Sequence, residues 1–423
     1  MPPKKKSADA SRLGFVDDTR GVAVVLMIFW HTVDAWLNPA LKEGLRFQLM
    51  RSTGGLAAPM FVFLAGAGAA LKFAADAERG KPRSGTIREL TCRGLEVVVA
   101  GYSLRVFLWI VDGGALTNIG LIPAYVPLAA GLATLYVALG RIASRAANGT
   151  RLLAIGAVLW GIGWWLTALL RPEQLMRLQR VDVLQAIGAS LVIIAWTEPL
   201  FRYVKRPYIG LLLGLAVTSV SGFVERSLPG VLPPGAAAYL GRWDGELGTL
   251  MARFPLFPWL GYALCGTTIG MIWLRGVRAG RTTATVVTLA CVGAVVGFVT
   301  RDGSPWAFAF IEEFPELSRT VRSLQKLGFG LALSGLSYVI TQRLGRFPLR
   351  TLGVTSLFVY WVHIELVYGL IARPLKQALG FTEWAVAFVL LTLFMAAAAE
   401  ARVRVPIALG NRRRHTARSP RTP

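Results

Sequence analysis

Long apolar runs recur along the whole chain, and each is about as long as a helix that crosses a bilayer. Arg, Pro, Gly and Asp bound these runs, as expected where membrane helices begin and end. We therefore predict an all-α fold, a polytopic transmembrane helical bundle with about 10–12 spans. The predicted spans cover residues 20–38, 54–76, 90–111, 119–140, 152–170, 182–201, 207–225, 255–275, 282–300, 326–342, 351–371 and 383–401.

The positions of Lys and Arg predict how these spans are oriented. Most of the 46 basic residues fall in alternate loops and in the two terminal segments, and cytoplasmic loops carry such an excess. We predict cytoplasmic termini, in a multi-pass protein of the bacterial inner membrane. A single transmembrane domain is expected over 13–403, between basic disordered tails at 1–12 and 404–423.

Composition supports a membrane protein over a soluble one. Hydrophobic residues make up 54% of the chain, charged residues 16%, and the mean hydropathy is +0.53. In soluble domains, about a quarter of the residues are charged. The net charge of +23 suggests nucleic-acid binding, but the cations lie between apolar runs, so we expect no nucleic-acid partner. The three cysteines are isolated, and their spacing predicts neither a disulfide nor a metal site.

The first span carries ionisable residues at helical spacing. Arg20 and His31 are three helical turns plus about 20° apart, so they lie on one stripe, separated by about 16 Å along the axis. With Arg20 at the cytoplasmic interface, His31 lies near mid-bilayer, and Asp34 is close enough to fix its tautomer. Ionisable side chains at this depth usually face a cavity and have a function. The alternative is an anchoring Arg20 and a packing His31.

Later spans also contain ionisable side chains. His363 lies deep in the run 351–371, as a second functional histidine or as a packing histidine bonded to Tyr360 or the backbone. Arg105 lies in the third span, where a central Arg costs about 2.5–3.5 kcal/mol and needs an acidic or phosphate partner. We expect Arg105 to bind substrate unless it extends to the outer interface. Asp182 is expected to cap the sixth helix rather than to face a cavity.

Several segments, taken in order, resemble a known family. Arg20 and His31 form an Arg-x10-His pattern similar to that of membrane acyltransferases of the acyltransferase-3 type. The whole series more closely resembles the prokaryotic relatives of heparan-α-glucosaminide N-acetyltransferase, which carry a DUF1624-type domain. It covers residues 15–370. The segments that carry the resemblance are Arg20–Asp34, Ala58–Gly66, Val183–Gly188, Phe254–Gly261 and Phe358–Ile364.

The resemblance implies an acyltransferase that takes acetyl-CoA or another acyl-CoA from the cytoplasmic side. The acceptor is a glycan or amino sugar on the extracytoplasmic side. On this hypothesis His31, oriented by Asp34, is the general base or briefly accepts the acyl group. His363 binds the acyl carbonyl or is a second base. The expected contacts are Arg20, Arg88 and Arg93 for the CoA phosphates, and Arg105, Arg242, Trp243 and Asp244 for the acceptor.

A transporter or flippase for a polar or lipid-linked solute is the main alternative, because it would use the same cavity without acyl transfer. Transporters often consist of two repeated halves with broken helices, and this sequence shows no convincing repeat. A helical scaffold or sensor is the third hypothesis, but it leaves the buried pair His31 and Asp34 unexplained. The sequence leaves the acceptor and the oligomeric state open.

Overall fold

The computed structural model of the protein describes residues 13–112, 119–227, 231–241, 252–344 and 349–416. Helices dominate this part of the chain, and its β-structure consists of two isolated bridges, so the all-α prediction is confirmed for the described residues. The helices are α1 (Gly14–Trp36), α2 (Gly44–Gly54), α3 (Ala57–Glu78), α4 (Arg83–Asp112), α5 (Ile122–Ala143), α6 (Gly149–Leu170), α7 (Pro172–Leu178), α8 (Val183–Phe201), α9 (Tyr208–Ser227), α10 (Pro234–Leu240), α11 (Leu256–Arg278), α12 (Thr282–Val299), α13 (Pro305–Glu313), α14 (Ser318–Leu344), α15 (Leu349–Val354), α16 (Ser356–Tyr368) and α17 (Phe381–Thr416). Short 3₁₀ helices cover Pro39–Leu41, Ile119–Leu121, Pro315–Leu317 and Leu370–Leu375.

The chain forms two compact units. The first unit comprises Met1–Leu13 and Ala58–Gly335, and the second comprises Gly14–Ala57 and Leu336–Pro423. Helix α17 continues to Thr416, within the segment 404–423. The predicted disorder of the two tails stays a prediction, since residues 1–12 and 417–423 lie outside the described residues.

Nine helices in the described ranges are long and apolar enough to cross a membrane. Each coincides with a span predicted from the sequence, so the chain is a multi-pass membrane protein. The nine are Gly44–Glu78, Arg83–Val111, Ile122–Ala143, Gly149–Leu170, Val183–Phe201, Tyr208–Ser227, Leu256–Arg278, Thr282–Val299 and Phe381–Arg404.

The other three predicted spans differ from these nine in composition or in continuity. Helix α1 has 23 residues, but its ionisable side chains make it less apolar. Helix α14 has 27 residues and begins with a segment rich in Arg and Lys. The run 351–371 is interrupted at Thr355, between α15 and α16, so its apolar part is only the short helix Ser356–Tyr368. Two of these three segments, α1 and α16, carry the intramembrane histidines.

Close backbone contacts position the helices of the first unit. Helix α4 packs on α8 where Gly94 and Gly188 face each other, and a Cβ atom on Gly94 would lie 2.6 Å from the carbonyl oxygen of Gly188. Small residues at such crossings let membrane helices approach closely and gain dispersion contacts. Because α4 and α8 are held together in this way, Arg105 of α4 lies beside Asp182, which caps α8.

In the second unit, the first turns of α1 pack directly on α15. Gly21 lies against a backbone carbonyl of α15, so a Cβ atom there would overlap a backbone oxygen. Asp18 is 3% exposed and accepts two hydrogen bonds from Arg350, at 3.0 and 2.9 Å. The close approach and the ion pair fix the start of α1.

The last turns of α1 are held by α16 and α17. The indole Nε1 of Trp36 donates to the carbonyl oxygen of Val367 at 3.0 Å, and that of Trp384 donates to Oγ1 of Thr32 at 3.2 Å. Both indoles are buried. Thr32 and Trp36 follow His31 by one and five residues on α1, so these bonds restrict the rotation of the helix about its axis and with it the direction in which the imidazole of His31 points.

Candidate active site

Two histidines that are 332 residues apart in sequence meet in the second unit. Nδ1 of His31, on α1, lies 2.8 Å from Nε2 of His363, on α16, and the ring planes are 14° apart. His363 is fully buried, whereas His31 is partly exposed. The pair thus joins a sealed imidazole to one with accessible surface.

The hydrogen bonds of the pair determine where its protons lie. Nδ1 of His363 is 2.7 Å from the carbonyl oxygen of Val359, and a carbonyl only accepts, so this nitrogen carries a proton. A neutral His363 then has its lone pair on Nε2, and the Nδ1–H of His31 must donate to it. Neutral His31 consequently has its lone pair on Nε2. An imidazole fixed in this tautomer can act as a general base or nucleophile at Nε2.

Tyr368 connects Asp34 to the histidine pair. Its hydroxyl donates to Oδ2 of Asp34 at 2.9 Å, and its ring packs edge-on to His31 with the centroids 5.7 Å apart. Lys42 donates to the backbone oxygen of Asp34 at 2.6 Å. Asp34 is exposed. Nδ1 of His31 is thus engaged by His363, while the carboxylate of Asp34, the residue predicted to orient His31, accepts a hydrogen bond from Tyr368.

Arg20, the predicted phosphate contact on α1, lies three turns before His31. Its Nη1 is 3.0 Å from Oδ1 of Asp17, and its side chain is 25% exposed. The guanidinium therefore has a carboxylate beside it and remains partly accessible. Its predicted contact with CoA stays a prediction.

The other two predicted phosphate contacts lie on α4, in the first unit. Arg93 is exposed, and its Nη1 is 3.0 Å from Oε2 of Glu96. Nε of Arg88 is buried and has no hydrogen-bond partner in the described part of the chain. A guanidinium with an unused buried donor is suited to an anionic ligand.

Near Arg88, four charged side chains of α3, α4 and their connection neutralise one another. Lys72 and Lys81 each contact both Asp76 and Glu89 at 2.7–3.2 Å. The hydrogen bond from Lys81 to Glu89 is the main reason that the pKa of Lys81 is raised, so this lysine remains charged. Because the four charges sum to zero, the cluster stabilises the α3–α4 connection and adds no net positive charge for a ligand.

Arg105 has the acidic partner that its position in the membrane requires. Its Nη2 pairs with Oδ2 of Asp182, and Nε of Arg180 lies 3.9 Å from the other carboxylate oxygen. The backbone nitrogen of Asp182 donates to Oε1 of Gln185 at 3.2 Å, so the predicted capping role of Asp182 is confirmed. The predicted acceptor contacts Arg242, Trp243 and Asp244 lie outside the described residues.

Tyr368 and Val359 also belong to the site, and neither is predicted from the sequence. The only sequence signal for Tyr368 is its place five residues after His363 in an apolar run, and nothing local links it to Asp34. The role of Val359 is carried by its backbone oxygen, which any residue supplies. The expected alternative that His363 bonds the backbone is present together with its bond to His31.

The catalytic domain of heparan-alpha-glucosaminide N-acetyltransferase matches residues 12–299. The match includes α1 with Arg20, His31 and Asp34, whereas His363 lies beyond it. None of the individually curated proteins compared with the chain matches it significantly. The predicted relation to the acyltransferase-3 type stays a prediction. The family prediction is confirmed: the chain belongs to the heparan-alpha-glucosaminide N-acetyltransferase catalytic family and is a membrane acetyltransferase.

Proposed function

We propose that the protein transfers an acetyl or related acyl group from cytoplasmic acyl-CoA to a sugar or amino-sugar acceptor on the extracytoplasmic side. Family membership supports the acetyltransferase chemistry. The observation that carries the assignment of the site is the hydrogen-bonded chain Val359–His363–His31, which leaves the lone pair of neutral His31 on Nε2.

His31 is the proposed general base. Its Nε2 takes the proton of the acceptor amine or hydroxyl while the acceptor nitrogen or oxygen attacks the thioester carbonyl carbon. The new C–N or C–O bond forms, the C–S bond breaks, and the imidazolium proton passes to sulfur, which releases CoA as the thiol. In the covalent alternative, Nε2 attacks the thioester first and holds the acyl group until the acceptor arrives.

His363 is proposed as a positioning residue rather than as a contact of the acyl carbonyl. Both of its ring nitrogens are engaged, by His31 and by Val359, and its exposed fraction is 0%. Its Nε2 lone pair faces the Nδ1–H of His31 and so stabilises the imidazolium form of His31. Asp34 and Tyr368 are the polar groups next to His31, and we assign them to orienting the acceptor.

The CoA phosphates are assigned to Arg20, Arg88 and Arg93. Guanidinium groups bind phosphate through two parallel N–H donors, which gives geometry as well as charge. Arg20 and Arg93 are accessible, and Arg88 has the buried donor described above. Each of these arginines also lies at the end of its span that the positive-inside rule places in the cytoplasm.

Both termini are proposed to be cytoplasmic, in a bacterial inner membrane. Counting α1, α14 and α16 as spans in addition to the nine apolar helices of the described residues gives an even number of crossings, which this orientation requires. A C-terminal green fluorescent protein fusion should therefore fluoresce, and a C-terminal alkaline phosphatase fusion should be inactive. The opposite pair of results would reverse the orientation.

The test of function is CoA-thiol release by the purified protein from acetyl-CoA in the presence of a panel of amino sugars and glycans. We expect the His31→Ala variant to fold and to bind acetyl-CoA, but to lose about 10²–10⁴-fold in turnover. His415→Ala is the matched control, because His415 is the third histidine of the chain and has no assigned role.

Three outcomes decide between the mechanisms. Undiminished transfer by His31→Ala would remove His31 from the reaction. Exchange of labelled CoA into acetyl-CoA without an acceptor would indicate the covalent route through Nε2. Solute uptake by reconstituted vesicles without any release of CoA would favour a transporter over the proposed transfer.

A further inference from the structure

A cavity of about 250 Å³ lies among α4, α5, α6 and α7 of the first unit. Its wall is mainly aliphatic and aromatic, with two indoles. The hydroxyl of Tyr102, one of its few polar groups, is hydrogen-bonded to that of Tyr239 at 2.6 Å. Such a wall suits an alkyl chain. The lining residues are Tyr102, Val106, Leu128, Leu132, Trp160, Trp164, Leu178 and Gln179.

Cationic side chains border this cavity on two of its elements. Arg105 lies three residues after Tyr102 and therefore on the same face of α4, and Arg180 directly follows Gln179. A third arginine, Arg253, is held beside Arg180 because its backbone nitrogen donates to the carbonyl oxygen of Val181 at 3.2 Å.

This group of arginines carries excess positive charge. Within the described residues, the carboxylate of Asp182 pairs with Arg105 and Arg180. Arg253 adds a third positive charge close to Arg180, so the cluster has a net charge of about +2. The pKa of Arg180 is lowered, mainly by burial and to a smaller extent by the positive charge of Arg253. An anion in this position would stabilise the cluster, since charges removed from water need a partner.

Two buried N–H donors beside Asp182 also lack a hydrogen-bond acceptor within the described residues. Nε of Arg180 has no hydrogen-bond partner among the described residues, and neither has the amide nitrogen of Gln185, whose side chain is 0% exposed. The Gln185 amide lies against Gly101, one turn before Arg105 on α4. Buried N–H donors are rarely left without a partner in proteins, so their occurrence beside a cationic cluster points to a ligand with acceptor oxygens.

We propose that the cluster and the cavity together form a binding site for an anionic amphiphile. A phosphate or phosphate-ester head is held by Arg105, Arg180 and Arg253, and an alkyl chain occupies the cavity between α4 and α7. Basic pockets between membrane helices bind phosphate-bearing lipid headgroups in this way. The proposal concerns binding in the first unit and does not depend on acyl transfer by the histidine pair.

The indoles of the cavity provide the readout. The purified full-length protein in detergent is titrated with phosphatidic acid that carries brominated acyl chains, because bromine quenches nearby tryptophans. We expect saturable quenching that is lost when Trp160 and Trp164 are both replaced by Phe. Brominated phosphatidylcholine has the same chains and a zwitterionic head. Its half-saturating concentration should be about tenfold higher than that of brominated phosphatidic acid, because its head carries no net negative charge.

Two variants test separately how the phosphate head and the alkyl chain contribute to binding. Arg180→Gln should raise the half-saturating concentration of brominated phosphatidic acid about tenfold, and Arg141→Gln, an exposed arginine at the end of α5, should leave it unchanged. Leu132→Phe, which reduces the cavity, should also weaken binding, and it serves as the second test should Arg180→Gln fail to fold.

The proposal fails if the two lipids quench at equal concentrations, because quenching would then report general lipid contact. It also fails if neither Arg180→Gln nor Leu132→Phe changes the titration. Displacement of the brominated lipid by inorganic phosphate at the same concentration would overturn the assignment to an amphiphile, because the alkyl chain would then contribute nothing.

Discussion

Replacing His363 by Leu and by Gln separates its hydrogen-bonding role from its packing role. Both residues are close to His in volume, which matters because the side chain is 0% exposed. The amide oxygen of Gln can accept the Nδ1–H of His31, as Nε2 of His363 does at 2.8 Å, whereas Leu cannot accept it. We therefore expect His363→Gln to retain most of the activity that His363→Leu loses.

The size of the loss follows from the charge that develops on His31. Once Nε2 of His31 has taken a proton, its Nδ1–H donates a charge-assisted hydrogen bond to His363, worth about 1.5–3 kcal/mol. A tenfold change in rate corresponds to about 1.4 kcal/mol, so kcat of His363→Leu should fall by about 10- to 150-fold. KM should change little, because His363 is sealed from the substrates.

The assay is the release of CoA thiol at varied acceptor concentration, with acetyl-CoA binding and thermal unfolding measured for every variant. Wild-type kcat in a folded His363→Leu protein would refute the positioning role. Equal impairment of His363→Gln and His363→Leu would show that an acceptor for Nδ1–H of His31 is not what the reaction requires.

Three further predictions concern α1 and the residues that contact it. Tyr368→Phe and Asp34→Asn should each lower kcat several-fold. The kcat of the double variant should be no lower than that of the less active single variant, because both residues act through one hydrogen bond. Fully additive losses in kcat would contradict this. Gly21→Ala should lower the thermal midpoint by several degrees, because its Cβ atom would overlap the carbonyl oxygen of Leu349, whereas Gly161→Ala, which meets no atom within 4 Å, should be neutral; equal midpoints for the two variants would show that α1 and α15 can separate without loss. Asp18→Asn weakens a buried, two-bond ion pair with Arg350 and should lower the free energy of unfolding by about 1–3 kcal/mol. Arg404→Gln breaks an exposed ion pair and should change the free energy of unfolding by less than about 1 kcal/mol. Denaturant titrations in detergent measure both values, and similar values would show that burial of Asp18 has no energetic consequence.

Membrane helices were the most predictable part of this protein, because the free energy of transferring a side chain into lipid depends on the residue itself. Apolar runs such as 152–170 and 282–300 coincide with α6 and α12 almost to the residue. The prediction was least accurate at 351–371, where hydropathy does not reveal the break at Thr355 that separates α15 from α16. Helix α15 packs against α1, which is more than 300 residues away in the sequence, and hydropathy within 351–371 does not predict this contact.

The candidate site was predictable only in part. Helical periodicity placed Arg20 and His31 on one stripe of α1, and the rarity of ionisable residues in lipid singled out His31, Asp34 and His363. The same reasoning required a partner for Arg105 and did not identify it as Asp182, 77 residues away. Because i and i+3 residues are neighbours on a helix, Asp34 was also predicted to orient His31, whereas the structure brings His363 to Nδ1 of that imidazole.

By itself, the sequence determined which segments enter the membrane and which ionisable side chains enter with them, since hydropathy and helical periodicity act within about 20 residues. Only the tertiary structure decided that His31 meets His363, and hence which nitrogen of His31 keeps its lone pair. The physical reason is that this contact rests on the packing of α1 against α15, α16 and α17, through Gly21, Trp36 and Trp384. Those interactions join residues more than 300 positions apart, and their energies appear only when the helices are together.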